Sequence, residues 1–413
     1  MISTPRLRAL LPEPGAPRVF AINQLIDSTG TGLWLTASVV FFINSVGLPA
    51  GQVGAGIAVA GLAGFLAGPL VGTLADRHGL REFAVALSVA QAACMAAFAL
   101  VGGFWSFLVV SVLFEFSRRG GSTARNALVA ATVTAADRVR TRAYLRSVLN
   151  VGFSVGTLLA GVVLTVDTRT AYLLVIFGNA ATFLAGMFFY LRVPRVAPIP
   201  KPADAPKGGV WRDYPFIGLT ILIGLLSIDV SIFHVALPIW ILRFTEAPPA
   251  TVAGLMLLNT VMAVTLQVRA TRTADSVPGA AGLVRRAGLA SGLACLLFPL
   301  SLYASTWVAV AVLTVAAVML TGAELWHSAG GFTISMDLAP EHALGAYQGV
   351  FGLSSAIHNS VGPALVTALA IGLGGPGWFI LAGLSAGLGL LARPLTAWAL
   401  RHRPAGVAVP QPM

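Results

Sequence analysis

The chain is 413 residues long, 57% hydrophobic and only 10% charged, with a mean hydropathy of +0.85; soluble domains carry about 25% charged residues. Too few polar groups exist to cover a soluble globule of this size, which excludes a soluble enzyme or binding domain and indicates an integral membrane protein. The net charge of +11 raises nucleic-acid binding, and the positions of the arginines decide that question.

The first 18 residues, MISTPRLRALLPEPGAPR, are basic. The apolar run after them is too long for a signal-peptide core, and no small-residue cleavage pattern follows, so a retained first span is expected. A helix needs about 20 mostly apolar residues to cross the hydrocarbon core. Twelve segments meet that need: 19–44, 51–74, 82–102, 104–124, 143–165, 171–191, 215–242, 250–270, 286–304, 307–331, 345–371 and 377–400. The 45 glycines and 24 prolines fit this class, because both are more frequent in transmembrane helices than in soluble ones. Cys94 and Cys295 lie in apolar runs and read as small packing residues rather than a disulfide or a metal site.

The connections alternate in charge. One set carries Arg77 and Arg81; Arg138, Arg140 and Arg142; Arg195, Lys201, Lys207 and Arg212; Arg272 and Arg285; and, at the termini, Arg6, Arg8, Arg401 and Arg403. The other set (47–50, 102–103, 166–170, 243–249, 305–306 and 372–376) carries only Arg169 and Arg243. The positive-inside rule then puts both termini and the central linker in the cytoplasm. The excess charge is topological, and with no aromatic–basic interleaving or zinc-ligand spacing, nucleic-acid binding is not expected. The linker at 193–214, VPRVAPIPKPADAPKGGVWRDY, is rich in Pro, Ala and charge and reads as extended. It separates an N-terminal six-span half, 1–192, from a C-terminal one, 215–413, the layout of transporters built from internal repeats.

Between spans two and three stands Gly72-x-x-x-Asp76-Arg77-x-Gly79-x-Arg81. Gly72 permits close helix approach, and Gly79 a tight turn. Asp76 can meet the positive end of a helix, and Arg77 and Arg81 can hold the loop at an anionic membrane face. This stretch closely resembles the signature loop of the major facilitator superfamily, with Leu80 where that pattern usually has a basic residue. Residues 337–365, DLAPEHALGAYQGVFGLSSAIHNSVGPAL, resemble the loop before span eleven and the start of that span in bacterial drug-exporter-like members. Residues 138–161, RVRTRAYLRSVLNVGFSVGTLLAG, resemble the start of span five. There Gly152, Gly156 and Gly161 partly echo the glycine-rich antiporter motif, with Thr157 where a Gly-Pro pair is expected. The resemblance implies the major facilitator fold: an all-α integral membrane protein with twelve transmembrane helices in two pseudo-symmetric six-helix halves. It also implies a loop that latches the halves on the cytoplasmic side when the transporter faces outward. The corresponding second-half loop, QVRATRTADSVPGAAGLVRRAG, keeps basic residues and Asp275 but not the glycine spacing, and is expected to be structural.

An acidic residue deep in a span costs about 2.5–3.5 kcal/mol on insertion scales, so it usually faces the bundle interior. Four such residues stand out, Asp27, Glu115, Asp229 and Glu324, in spans one, four, seven and ten; in the major facilitator fold these are the helices that line the central cavity. Asp27 lies about 13 Å into span one at 1.5 Å per residue. It shares a face with Asn23, Gly30 and Trp34 and serves either the cavity or an interhelical hydrogen bond. Glu115 has Arg118 and Arg119 at i+3 and i+4, the spacing for ion pairs. A paired carboxylate stays ionised and carries protons poorly, which favours a structural or gating cluster; Arg125 is assigned to the cytoplasmic end. Asp229, on a face with Phe233 and Trp240, is either a solvated acid in the outer half of span seven or a site. Glu324 has His327 at i+3, and this is either a proton-handling pair or a packing cluster beside Gly330 and Gly331.

These features predict a proton-driven secondary transporter, not an enzyme, that exports small amphipathic organic molecules by alternating access. Its proton-coupling and cavity groups are expected to be Asp27, Glu115, Asp229, Glu324 and His327. Its substrate cavity is expected to use Asn23, Trp34, Arg118, Arg119, Phe233, Trp240 and Trp326, and its cytoplasmic latch Gly72, Asp76, Arg77, Gly79 and Arg81. The proton motive force drives it, without cofactor or metal, as no nucleotide loop, nucleophile elbow or zinc-binding pattern occurs. Expected partners are a small-molecule substrate, protons and the lipid bilayer, for a monomer in the cell membrane. The alternatives are a proton symporter for a small polar nutrient and a non-transporting sensor or scaffold.

Overall fold

A computed structural model describes residues 15–198, 209–270, 274 and 276–402. Arg6, Arg8, Lys201, Lys207, Arg272, Asp275 and Arg403 lie outside the described residues. Among the described residues there are helices and no strand. The first six spans are α1 (Ala16–Val40, continued by a π turn, Phe41–Ser45), α2 (Ala50–His78), α3 (Leu80–Ala97), α4 (Phe104–Thr132), α5 (Ala135–Val166) and α6 (Arg169–Leu191). Span seven is interrupted into α7 (Tyr214–Leu226), α8 (Ile228–Ser231), a π turn (Ile232–Ala236) and α9 (Leu237–Phe244). The rest are α10 (Ala250–Ala270), α11 (Val277–Leu297), α12 (Thr306–Asp337), α13 (Leu344–Phe351), α14 (Leu353–Val366) and α15 (Gly375–Arg401).

Ten helical stretches among the described residues are long and apolar enough to cross a membrane. The other two expected spans are α4, which carries four charged side chains along its 29 residues, and the α13–α14 pair, broken at Gly352. Several helices outrun their apolar segments: α4 continues eight residues past 124, α5 begins at Ala135 and α11 at Val277. Arg138, Arg140, Arg142 and Arg285, assigned to connections by their charge, therefore lie inside helices. Hydropathy detects only the part of a helix that faces hydrocarbon, while the backbone ladder continues wherever its polar groups are satisfied. Caps mark the true starts: Ser276 Oγ accepts from the Gly279 N–H of α11 (3.2 Å), and Asp213 Oδ1 from Phe216 N–H (3.1 Å), the usual N-cap chemistry.

The chain divides into two compact units, residues 1–201 with 341–349, and residues 202–340 with 350–413. In the first, α1 packs on α5 and α6, α2 on α4, and α3 on α4 and α6; in the second, α11 packs on α12 and α15, and α7 on α14 and α15. The first unit thus takes in residues 341–349 of the C-terminal half, and glycines show why. Gly68 and Gly72 of α2 face Gly349 and Gly345 of α13 so closely that a Cβ on Gly68 would stand 2.8 Å from the Gly349 carbonyl oxygen. A Cβ on Gly72 would overlap the Gly345 carbonyl. Small residues four apart on both helices let two backbones touch. Gly152 and Gly156 of α5 meet α1 in the same way, whereas Gly161 faces open space.

Gly72→Val should lower the thermal midpoint of the purified protein through an overpacking cost of about 1–3 kcal/mol. Gly54→Ala, where a Cβ meets nothing within 4 Å, should leave the midpoint unchanged; equal midpoints for the two would contradict the close crossing.

Candidate functional site

The acids of the first unit are held by arginines. Glu115 accepts from Arg118 through both oxygens (Nε to Oε2 2.7 Å, Nη2 to Oε1 2.6 Å) and from Arg119 Nε (2.7 Å), a geometry that the i+3 and i+4 spacing makes available on one helix. Arg119 turns toward α2, where its guanidinium lies 4.8 Å from the centre of the Phe65 ring. Gly64 leaves room for the cluster, since a Cβ there would stand 2.8 Å from Glu115 Cγ.

Asp27 pairs with Arg125, whose Nη1 donates to Oδ2 at 3.2 Å. Sequence placed Arg125 at the end of span four. Because α4 runs to Thr132, Arg125 lies about 10 Å inside it, seven residues at 1.5 Å each. The pair borders a cavity of about 140 Å³ that lies wholly within the first unit. Asn23, Arg118 and Tyr190 also line it, with Phe153 and Phe183 on its apolar side. Asn23 is 2% exposed. Neither Arg125 nor Tyr190 was singled out as a cavity group from sequence. Letting α4 run past residue 124 would have exposed the first.

In the second unit, Asp229 is 1% exposed, which removes the reading of a solvated acid. The irregular backbone of span seven positions it: α7 ends at Leu226, Ser227 separates it from α8, and a π turn follows. Asp229 Oδ1 accepts from Val230 N–H (2.7 Å), and Oδ2 stands 3.0 Å from His327 Nδ1 of α12. The other ring nitrogen, Nε2, stands 3.2 Å from Ser227 Oγ. The imidazole expected to serve Glu324 is thus held between Asp229 and Ser227. Glu324 accepts from Asn259 Nδ2 of α10 at 3.4 Å and lies within electrostatic reach of Asp229.

Three aromatic residues expected in the substrate cavity belong to packed cores. Trp34 sits among Phe41, Phe42 and Phe98, with ring centres 5.0 Å apart for Trp34 and Phe98. Phe233 is buried in the core of the second unit. Trp240, fully buried, donates to Ser301 Oγ (3.0 Å) and stacks on Phe244. Alternation of polar and aromatic residues on a helix face does not separate cavity from core. Trp326 is half-buried.

At the signature loop, Gly79 adopts φ 111° and joins α2 to α3 in a single residue, a conformation that glycine alone takes without strain. Asp76 accepts from two N–H groups in the first turn of α13, Gly345 to Oδ1 at 2.6 Å and Ala346 to Oδ2 at 2.8 Å, a carboxylate clasping a helix amino end. Arg81 donates to the Val193 carbonyl (3.0 Å), Arg77 is exposed, and Leu80 is buried, which accounts for an apolar residue there.

A family model described as Major Facilitator Superfamily matches residues 20–363. A search of curated proteins finds no significant match. Among solved structures, the chain is similar to a bacterial homologue of the iron transporter ferroportin in its outward-facing state (TM-score 0.73, 17% identity, 94% of this chain and 100% of that one). The same comparison gives a bacterial ferroportin homologue with soaked iron (TM-score 0.71, 16% identity, 94% and 99%) and the human organic anion transporter MFSD10 (TETRAN; TM-score 0.66, 16% identity, 92% and 98%). At these identities the likeness is one of fold.

His327→Leu takes away the partner of a fully buried carboxylate and should destabilise the protein by about 3–5 kcal/mol, read as a fall in thermal midpoint. Asp229→Asn combined with His327→Gln removes the charge while keeping polar volume and should cost less. A single variant no less stable than the double would contradict the pairing.

Proposed function

The chain belongs to the Major Facilitator Superfamily, and from that premise we propose a proton-coupled transporter that exports small amphipathic organic molecules by alternating access. In this reading it is not an enzyme; it works as a monomer in the cell membrane with both termini cytoplasmic, driven by the proton motive force alone.

The observation that carries the proposal is the buried Asp229–His327 pair. Arginine cannot release its proton in a protein, so the guanidinium groups that hold Asp27 and Glu115 keep their charge. An imidazole can titrate near neutrality. With one proton on the Asp229–His327 pair, the site is net neutral; without it, the site carries one negative charge. A net charge sealed away from water inside a membrane protein is costly, so unloading is tied to a conformation in which water reaches the pair. Proton and substrate then drive each other if they favour different conformations. Glu324 is the second carboxylate available to such a relay. The Asp76 clasp on α13 is the natural latch, made and broken as the transporter cycles.

In proteoliposomes with an imposed pH gradient, fluorescent amphipathic compounds should move uphill against the direction of proton flow, and a protonophore should abolish the movement. Transport in the same direction as the protons would overturn export by antiport and leave nutrient symport in its place.

A further inference from the structure

Ser227 has one hydroxyl hydrogen and two neighbours that compete for it. The Ile223 carbonyl oxygen lies 2.7 Å from its Oγ, and His327 Nε2 lies 3.2 Å away. The shorter separation is the usual length of an O–H···O bond, and a serine hydroxyl commonly donates to the carbonyl four residues back in a helix. The hydrogen therefore points at Ile223, and Oγ is left to accept. A bond between an accepting Oγ and Nε2 requires a hydrogen on Nε2.

That placement decides the other side of the ring. Nδ1 stands 3.0 Å from Asp229 Oδ2, while Oδ1 accepts from Val230 N–H at 2.7 Å. Asp229 is 1% exposed and His327 6%, and buried polar atoms this close are hydrogen-bonded rather than set lone pair against lone pair. A hydrogen thus lies between Nδ1 and Oδ2 as well. The pair then holds one proton more than a neutral imidazole beside a carboxylate, whichever of the two atoms carries it.

We infer that the structure holds the Asp229–His327 pair in its proton-loaded form, and that Ser227 is a positioning residue that favours this form by accepting from Nε2. The inference rests on the reading of the pair as the proton carrier and adds the group that sets its proton affinity. Once the pair gives up its proton, the remaining ring hydrogen belongs on Nδ1, facing the carboxylate, and Nε2 becomes an acceptor. The Ser227 hydroxyl must then leave Ile223 and turn to Nε2. Oγ takes part in two hydrogen bonds in the loaded form and one in the unloaded form, so the hydroxyl favours loading. Other titratable groups around the pair include Glu324 of α12 and the Cys295 thiol of α11, both within electrostatic reach of Asp229, and His358 of α14, which packs on α8.

The test is nitrogen NMR of the full chain in lipid bilayers, isotope-labelled at its histidines, with His327 assigned as the signal lost in His327→Gln. No gradient or transported compound is involved, so the result is independent of any transport assay. In acidic buffer the Nε2–H proton of His327 should resonate where a hydrogen-bonded proton does. Ser227→Ala should lose that displacement, and Ser227→Thr, which keeps the hydroxyl, should retain it. As the pH rises, the hydrogen should leave Nε2 and remain on Nδ1. Ser227→Ala should bind the proton about two- to tenfold more weakly than the wild type, the worth of one hydrogen bond, and Ser227→Thr should restore the affinity. Thermal midpoints check that each variant is folded, and Ser227→Gly stands in if Ser227→Ala is not. An Nε2–H resonance and a proton affinity unchanged in the folded variant would overturn the role of Ser227. Loss of hydrogen from Nδ1 rather than Nε2 on raising the pH would overturn the tautomers assigned. Signals of His327 that do not respond to pH would overturn the reading of the pair as a proton carrier, while the comparison of Ser227→Ala with the wild type still decides the bond to Nε2.

Discussion

A charge inside a membrane protein must find its partner within the protein, and the choice of partner fixes what that charge can do. Asp27 and Glu115 are held by guanidinium groups that never deprotonate, whereas Asp229 is held by an imidazole. The partners of the first two keep their charge, whereas the imidazole that holds the third is of the residue type that can titrate near neutrality. Acids that look equivalent along the sequence therefore divide into two chemistries, and the proposed proton site follows from it.

Backbone irregularity and close glycine packing deliver these partners. Span seven breaks at Ser227 and winds through a π turn after Asp229, and such departures from the α-helix often mark functional positions. Ser227, at that break, donates its N–H and its hydroxyl to the Ile223 carbonyl (3.0 and 2.7 Å), and its Oγ stands 3.2 Å from the far nitrogen of His327. In the first unit, Gly68 and Gly72 bring α2 against α13, one turn from the place where Asp76 takes the helix amino end. Without that crossing the carboxylate would not reach the N–H groups of Gly345 and Ala346.

The fold was legible in the sequence because it is written in local signals: runs of apolar residues, the glycine-bounded Asp76 loop, and arginines on alternate connections. The ion pairs within one helix were legible too, since Glu115, Arg118 and Arg119 are neighbours by spacing alone. What could not be read was partnership across helices. Nothing in the sequence says that Arg125 meets Asp27, 98 positions away, or that His327 turns toward Asp229. The exposure of aromatic residues was equally hidden, because Trp34 and Trp240 sit on polar faces yet pack into cores. Helix length misled as well: the eight residues that α4 adds beyond its apolar run move Arg125 from the membrane edge to the cavity.

Carriage of the proton by the Asp229–His327 pair is tested most directly by measuring proton and substrate fluxes together in proteoliposomes of the wild type and of Asp229→Asn. The wild type should move protons opposite to a transported compound. The variant should still exchange labelled for unlabelled compound across the membrane but carry no protons with it. Proton-coupled transport that survives in Asp229→Asn would contradict a role for the pair as the proton carrier.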